Sequence, residues 1–181
     1  SGALVPATRL ILVVGGEPPK FASQEFVPVR HIPDHQPGFG PLAAVRDGLR
    51  WIWHEHSKSW PQFVILSACD LPSIKPSLVS EMVNRFPRDE LSTKWVIPEV
   101  GKRLQYLVSV CRPTMLQPLD SFFAAGGRDF RSFVHYLQQH ESTSIHVISV
   151  AIWRTFDPNA CAGSDIDTPA DLALYTGDAS H

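Results

Sequence analysis

The stretch Phe63-Val-Ile-Leu-Ser-Ala-Cys-Asp-Leu-Pro72 constrains the fold more than any other part of the chain. Phe63 to Leu66 is an unbroken apolar run, short enough for a strand buried on both faces, as a parallel sheet requires. The run gives way to small residues and then to Asp70. Leu71-Pro72 turns the chain, and Pro76 suits the start of a helix, where its missing N–H costs little. In open α/β sheets ligands bind outside the carboxyl ends of the strands. A carboxylate leaving a buried strand there can hold a hard cation such as Mg²⁺, or can simply cap the turn.

The surrounding elements predict a three-layer α/β sandwich. Arg9 to Val14 reads as a strand that breaks at Gly15-Gly16. Because Glu17-Pro18-Pro19-Lys20 opens no helix, the glycine pair reads as a strand-end turn, not a dinucleotide loop. Lys20 is not a phosphate-loop lysine on this reading. Val27 to Ile32 is a second strand. A loop rich in Pro and Gly follows, and then a helix with Leu42, Val45, Leu49, Ile52 and Trp53 at helical spacing. Gly40-Pro41 falls at that helix's N-terminus, where backbone N–H groups and the positive dipole end can receive an anion or the acceptor edge of a base.

Beyond Asp70 the pattern predicts a helix over Pro76–Phe86, a strand over Thr93–Pro98 and an alternating stretch over Arg103–Cys111. Helices follow from Pro113 to about Ala125, ended by Gly126-Gly127, and from Asp129 to His140. Ile145 to Val150 is a late strand. Thr168, Pro169 and Asp171 start a capped last helix. Asp165 and Asp167, two apart just before it, face opposite sides if extended, so one of them faces the ligand cleft.

Composition narrows function. A net charge of −2 over 181 residues gives no footprint for nucleic acid. No apolar run approaches the roughly 20 residues of a membrane span, and no signal-peptide pattern opens the chain. Cys69, Cys111 and Cys161 form no CxxC pair, which favours reduced, buried thiols in a cytoplasm over disulfides or zinc. Cys69 reads as an inert buried thiol. His31/His35 and His54/His56 have the wrong geometry for a zinc site. Trp51, Trp53 and Trp60 read as helix packing.

In order and spacing, Asp34…Gly40-Pro41-Leu42-Ala43, then Cys69-Asp70-Leu71-Pro72, then Asp165-Ile166-Asp167-Thr168-Pro169-Ala170-Asp171-Leu172 resemble the molybdenum cofactor guanylyltransferases. Arg103-Leu104-Gln105-Tyr106-Leu107, and Gly126-Gly127-Arg128 after the next helix, look like that family's substrate-side region. The resemblance runs from about Arg9 onward. It implies a three-layer α/β/α Rossmann-like nucleotidyltransferase fold with a mostly parallel sheet. It also implies transfer of GMP from GTP to molybdopterin with Mg²⁺, in the cytoplasm, with other cofactor-biosynthesis or molybdoenzyme-maturation proteins as partners. Carried over by position, Asp70 and Asp165 bind the metal and Asp70 is catalytic. Asp34, Gly40, Pro41, Arg103, Gln105 and Asp167 bind the nucleotide and cofactor.

The family opens with Leu-Xaa-Gly-Gly-Xaa-Ser-Xaa-Arg-Met-Gly-Xaa-Asp-Lys, and these 181 residues do not contain it. The expectation is a single nucleotidyltransferase-like domain over 1–181 whose first strand and glycine-rich loop lie in a missing upstream portion. The alternatives are a non-catalytic binding homologue, a cytidylyltransferase, or another small-phosphate guanylyltransferase on the same scaffold.

Overall fold

The structure is a computed structural model that describes residues 11–15, 29–55, 61–71, 74–87, 92–158 and 168. Strands β1 (Ile11–Val14) and β2 (Val29–Ile32) pair in parallel. Helix α1 (Pro41–Glu55) leads to β3 (Val64–Ser67), then α2 (Pro76–Asn84), β4 (Trp95–Val100), β5 (Arg103–Leu104) and β6 (Val108–Cys111). A 3₁₀ turn over Pro113–Met115 opens into α3 (Leu116–Ala124), followed by α4 (Phe130–His140), β7 (Ile145–Ile148) and α5 (Val150–Phe156).

A five-stranded sheet has the order β3–β6–β4–β5, with β7 also on β4. β6 is antiparallel to both β3 and β4, the short β5 is antiparallel to β4, and β7 is parallel to β4, so β3, β4 and β7 run one way while β5 and β6 run back. Period-two alternation along the strands divides the core between two layers. Trp95, Ile97, Cys111 and Leu66 face α1, α3 and α4, meeting Leu42, Leu49, Leu119, Phe133 and Leu137. Val96, Val108, Val110 and Ile148 face α2 and α5, meeting Leu78, Met82 and Trp153. These are the three layers expected. Helix α1 also packs on β1, where Gly48 matters: a Cβ there would lie 3.4 Å from Val14 Cγ2.

Several local expectations need correction. β3 is not buried on both faces: Leu66 is buried, but Ile65 is 44% exposed and Ser67 is exposed. Its hydrogen-bonded neighbour is the antiparallel β6, and among the described residues no strand pairs with its other edge. Arg103–Cys111 is not one continuous strand. The Gln105 N–H donates to Pro98 O at 2.8 Å and that of Val108 to Gln105 O at 3.2 Å, a tight turn that separates β5 from β6. The late strand stops at Ile148, and Val150 starts α5, a helix the pattern did not show. Trp53 points outward at 47% exposure instead of joining the stripe of α1. Cys69 is exposed, whereas Cys111 is buried and burial pushes its thiol pKa up. Cys161, Trp60, Lys20, the Arg9–Leu10 start of the first strand and the helix expected after Thr168 lie outside the described residues. Among the described residues no helix is long and apolar enough to cross a membrane.

Candidate functional site

Two groups of predicted residues take shape where strands end. The first follows β2. Asp34 is half-buried, and its Oδ1 accepts the Gln36 N–H at 2.8 Å, the side-chain turn that aspartate favours. The Gln36 carbonyl then accepts the Phe39 N–H at 3.0 Å. The Gly15 N–H donates to Ile32 O at 3.1 Å, and His31 Nε2 lies 3.1 Å from Gly15 O, so the end of β1 is stitched to the end of β2. His35 is held by Asp47, with Nδ1 to Oδ2 at 3.3 Å. Gly40 has φ of 79°, a left-handed conformation that glycine adopts without strain. It precedes Pro41 at the first position of α1, and its carbonyl accepts the Ala43 N–H at 3.1 Å. The positive end of the α1 dipole therefore opens onto this loop, as the sequence predicts.

The second group follows β3. Cys69 and Asp70 form a turn in which Asp70 is half-buried. The Ala68 N–H donates to Leu107 O at 3.2 Å, which lays this turn beside the Gln105–Leu107 segment. Arg103 and Gln105 come from the β4–β5 hairpin, in which Val100 opposes Arg103 and Glu99 opposes Leu104. Gly101 and Lys102 both take positive φ, 57° and 65°, as a two-residue hairpin turn of the right twist demands. Asp70, Arg103 and Gln105 thus lie at the same end of the sheet, toward the carboxyl ends of β3 and β4. Next to them Tyr106 stacks on Phe130 with ring centroids 4.9 Å apart, and burial raises its pKa, with Arg131 opposing and Asp129 adding to the rise.

A carboxylate at a strand-end turn suits Mg²⁺, which takes one or two carboxylates and completes its shell with water and substrate phosphates. Among the described residues no group of three or more His, Cys, Asp or Glu could hold a metal ion. Asp165 and Asp167 lie outside the described residues.

One constellation was not legible in the chain. Arg46 and Arg50, one turn apart on α1, both reach Oδ1 of Asp120 on α3, at 2.8 and 2.7 Å. The signal was present as two cations at i and i+4 along the border of the apolar stripe, Arg46 four residues after Leu42 and three before Leu49, but their carboxylate lies far along the sequence.

The sequence profile of the MobA-like NTP transferase domain matches residues 2–143. The chain belongs to this family. A probable molybdenum cofactor guanylyltransferase of Chloroflexus aggregans is 32% identical over 151 residues, covering 82% of this chain and 64% of the relative. A protein of the same description from Mycobacterium avium is 30% identical over 108 residues, 60% of this chain and 51% of the relative. The chain therefore spans less than two thirds of the length of these relatives. Among solved structures, molybdopterin-guanine dinucleotide biosynthesis protein A from Archaeoglobus fulgidus superposes with a TM-score of 0.58 at 19% identity, over 80% of this chain and 65% of the other. The 4-diphosphocytidyl-2C-methyl-D-erythritol synthase of Anaerococcus prevotii gives 0.56 at 8% identity, over 84% and 68%. At such identities these neighbours speak for the fold alone, the Rossmann-like nucleotidyltransferase architecture that the sequence predicts.

Proposed function

We propose that this chain is a cytoplasmic, Mg²⁺-dependent nucleotidyltransferase of molybdenum cofactor biosynthesis that transfers GMP from GTP to molybdopterin. Its carrying observation is Asp70, a half-buried carboxylate on the turn that leaves β3, laid against the Gln105–Leu107 segment by the Ala68–Leu107 hydrogen bond. Family membership and the descriptions of the relatives support the reading. An oxygen of the molybdopterin phosphate attacks the α-phosphorus of GTP, the α–β bridging P–O bond breaks, and pyrophosphate leaves. Two polyanions must meet for this, and Mg²⁺, when bound, screens their phosphate oxygens.

On this reading the protein's share is positioning and fixed charge. Asp70 and Asp165 would hold the metal. Asp34, Gly40 and Pro41 would meet the nucleotide, the left-handed Gly40 letting the ligand approach the backbone and α1 offering its positive end. Arg103, Gln105 and Asp167 would contact the cofactor side. On this reading residues 1–181 act as a single nucleotidyltransferase-like domain. Its other partners are the enzymes that make molybdopterin or mature molybdoenzymes.

Calorimetric titration of GTP with MgCl₂ tests it. Wild-type protein should bind GTP in a Mg²⁺-dependent manner, and Asp70→Ala should abolish that dependence while keeping the fold. Unchanged metal-dependent binding in Asp70→Ala overturns the role of Asp70. CTP binding in preference to GTP would instead make the chain a cytidylyltransferase.

A further inference from the structure

The arginines on α1 form one wall of a cleft of about 420 Å³, closed on the other side by the end of α3 and the loop after it. Gln36, Arg46, Arg50, Asp120, Phe123 and Arg128 line it. A volume of this order is that of a small-molecule pocket. Its charge does not balance. Arg46, Arg50 and Arg128 bring three positive charges, and among the described residues Asp120 is the one carboxylate in the lining. Both α1 guanidiniums converge on the same oxygen of Asp120, which neutralises one of them. A pair formed only to join two helices would need one arginine and one carboxylate.

The guanidiniums are also held in place. Arg46 is nearly buried and lies over the Phe123 ring at 4.5 Å. Arg128 lies between the Phe39 and Phe123 rings at 5.2 and 5.4 Å, and its Nη1 donates to Phe123 O at 3.1 Å and to Gly127 O at 2.6 Å. Planar, always-charged forks fixed around a cavity match the oxygens of a phosphate group. Aromatic faces behind them lower the local dielectric and strengthen the attraction.

We propose that this cleft is a second, metal-independent binding site for a phosphate-bearing small molecule, seated on Arg46, Arg50 and Arg128 beside Asp120. It is separate from the Asp70 edge but shares a residue with the Asp34 loop, because the Gln36 N–H that orders Asp34 belongs to the cleft's lining.

The probe is sodium pyrophosphate in EDTA, with no divalent metal present. Its addition should shift the Nε–Hε NMR signals of Arg46 and Arg50 in the wild-type protein. Arg46→Gln/Arg50→Gln should weaken binding by about a hundredfold or more, the scale of two lost charge-assisted hydrogen bonds. Asp120→Asn should tighten it, and Asp70→Ala should leave it unchanged. Static arginine signals, or an affinity that falls in Asp70→Ala and not in the double arginine variant, would overturn the proposal. If the double variant fails to fold, the wild-type arginine signals and the more exposed Arg50→Gln decide the matter. Since metal is absent and Asp70 is a control, failure here leaves the GTP reading standing, and failure of that reading leaves this one standing.

Discussion

Replacing Gly127 by alanine should destabilise the fold, although glycine-to-alanine changes often do the opposite. Gly127 follows the end of α3, where its N–H donates to Phe122 O at 3.0 Å. A Cβ at this position would fall on Cζ, Cε1 and Cε2 of Phe122, inside the 3.0 Å that real Cβ atoms keep. The ring has little room to retreat. It is 6% exposed, and its centroid lies 5.2 Å from Phe133, 5.5 Å from Tyr136 and 6.2 Å from Phe123. Overpacking of this kind costs about 1–3 kcal/mol. Stiffening of the unfolded chain returns about 0.4–1 kcal/mol. The expected net loss is about 1–2 kcal/mol, or a urea midpoint lower by about 0.5–1 M for a slope near 2 kcal/mol/M. The same substitution in a Phe122→Leu background should cost almost nothing, giving a coupling of about 1–2 kcal/mol. An unchanged or raised midpoint for Gly127→Ala, or an equal cost in both backgrounds, would refute the steric argument.

Other outcomes follow from single contacts. Asp129 caps α4, its Oδ1 accepting the Ser132 N–H at 2.9 Å; Asp129→Ala should cost about 1 kcal/mol by thermal melt. That bond, foremost, holds the Asp129 pKa below its usual 3.8, so the cap contributes fully above that pH and fades as pH falls through the depressed value. His146 titrates below its usual 6.5 because of burial first and the charge of Arg85 second. Its neutral form is favoured in the fold, so stability should drop as pH falls below about 6.5, and His146→Gln should flatten the slope of melting temperature against pH there. Arg112 is buried between the Phe63 and Phe86 rings and donates to Thr93 O and Pro87 O. Arg112→Ala should lower stability by about 2 kcal/mol or more in urea, through orphaned carbonyls and lost stacking.

What could be read in the chain was what short-range periodicity encodes. Leu42, Leu49 and Ile52 marked the buried face of α1 because a helix brings residues three and four apart onto one side. Asp129 announced the start of α4, and Gly126, at φ 92°, the end of α3. Long-range pairing was hidden. The exposure of Ile65 depends on which strand, if any, lies beside β3, and no window around Phe63 carries that information. The break inside Arg103–Cys111 is made by an N–H turning toward Pro98 O, and across it the apolar side chains change layers, Leu104, Tyr106 and Leu107 packing on one side and Val108 and Val110 on the other. Helix α5 is short, and Ile152 and Trp153 read as easily into a continuing strand. The placement of the candidate site residues was legible in the same measure. Asp34 and Asp70 stood out at strand ends, but the juxtaposition of Asp70 with Gln105 needed the pairing of β3 with β6, and the Arg46–Asp120 contact joins residues 74 apart.

The reversed direction of β6 links these points. The connection from β4 to β6, by way of Gly101–Lys102 and β5, is too short for the crossover a parallel strand needs, so β6 must run back antiparallel. Its first residue, Val108, opposes Ser67, and its last, Cys111, opposes Val64. One end of β6 is thereby set beside the Asp70 turn, carrying Arg103, Gln105 and Tyr106 with it. The other end delivers Arg112 to the opposite edge, where two rings and two carbonyls hold it. Reversal thus separates the polar groups of the candidate site from a cation used to close the far end. Substitution of Arg103 or Gln105 should change ligand affinity with little loss of stability, whereas substitution of Arg112 should do the reverse. Paired urea melts and molybdopterin titrations on the same variants measure both quantities. An Arg112 variant that folds as stably as wild type yet loses molybdopterin would show that the two ends are not divided in this way.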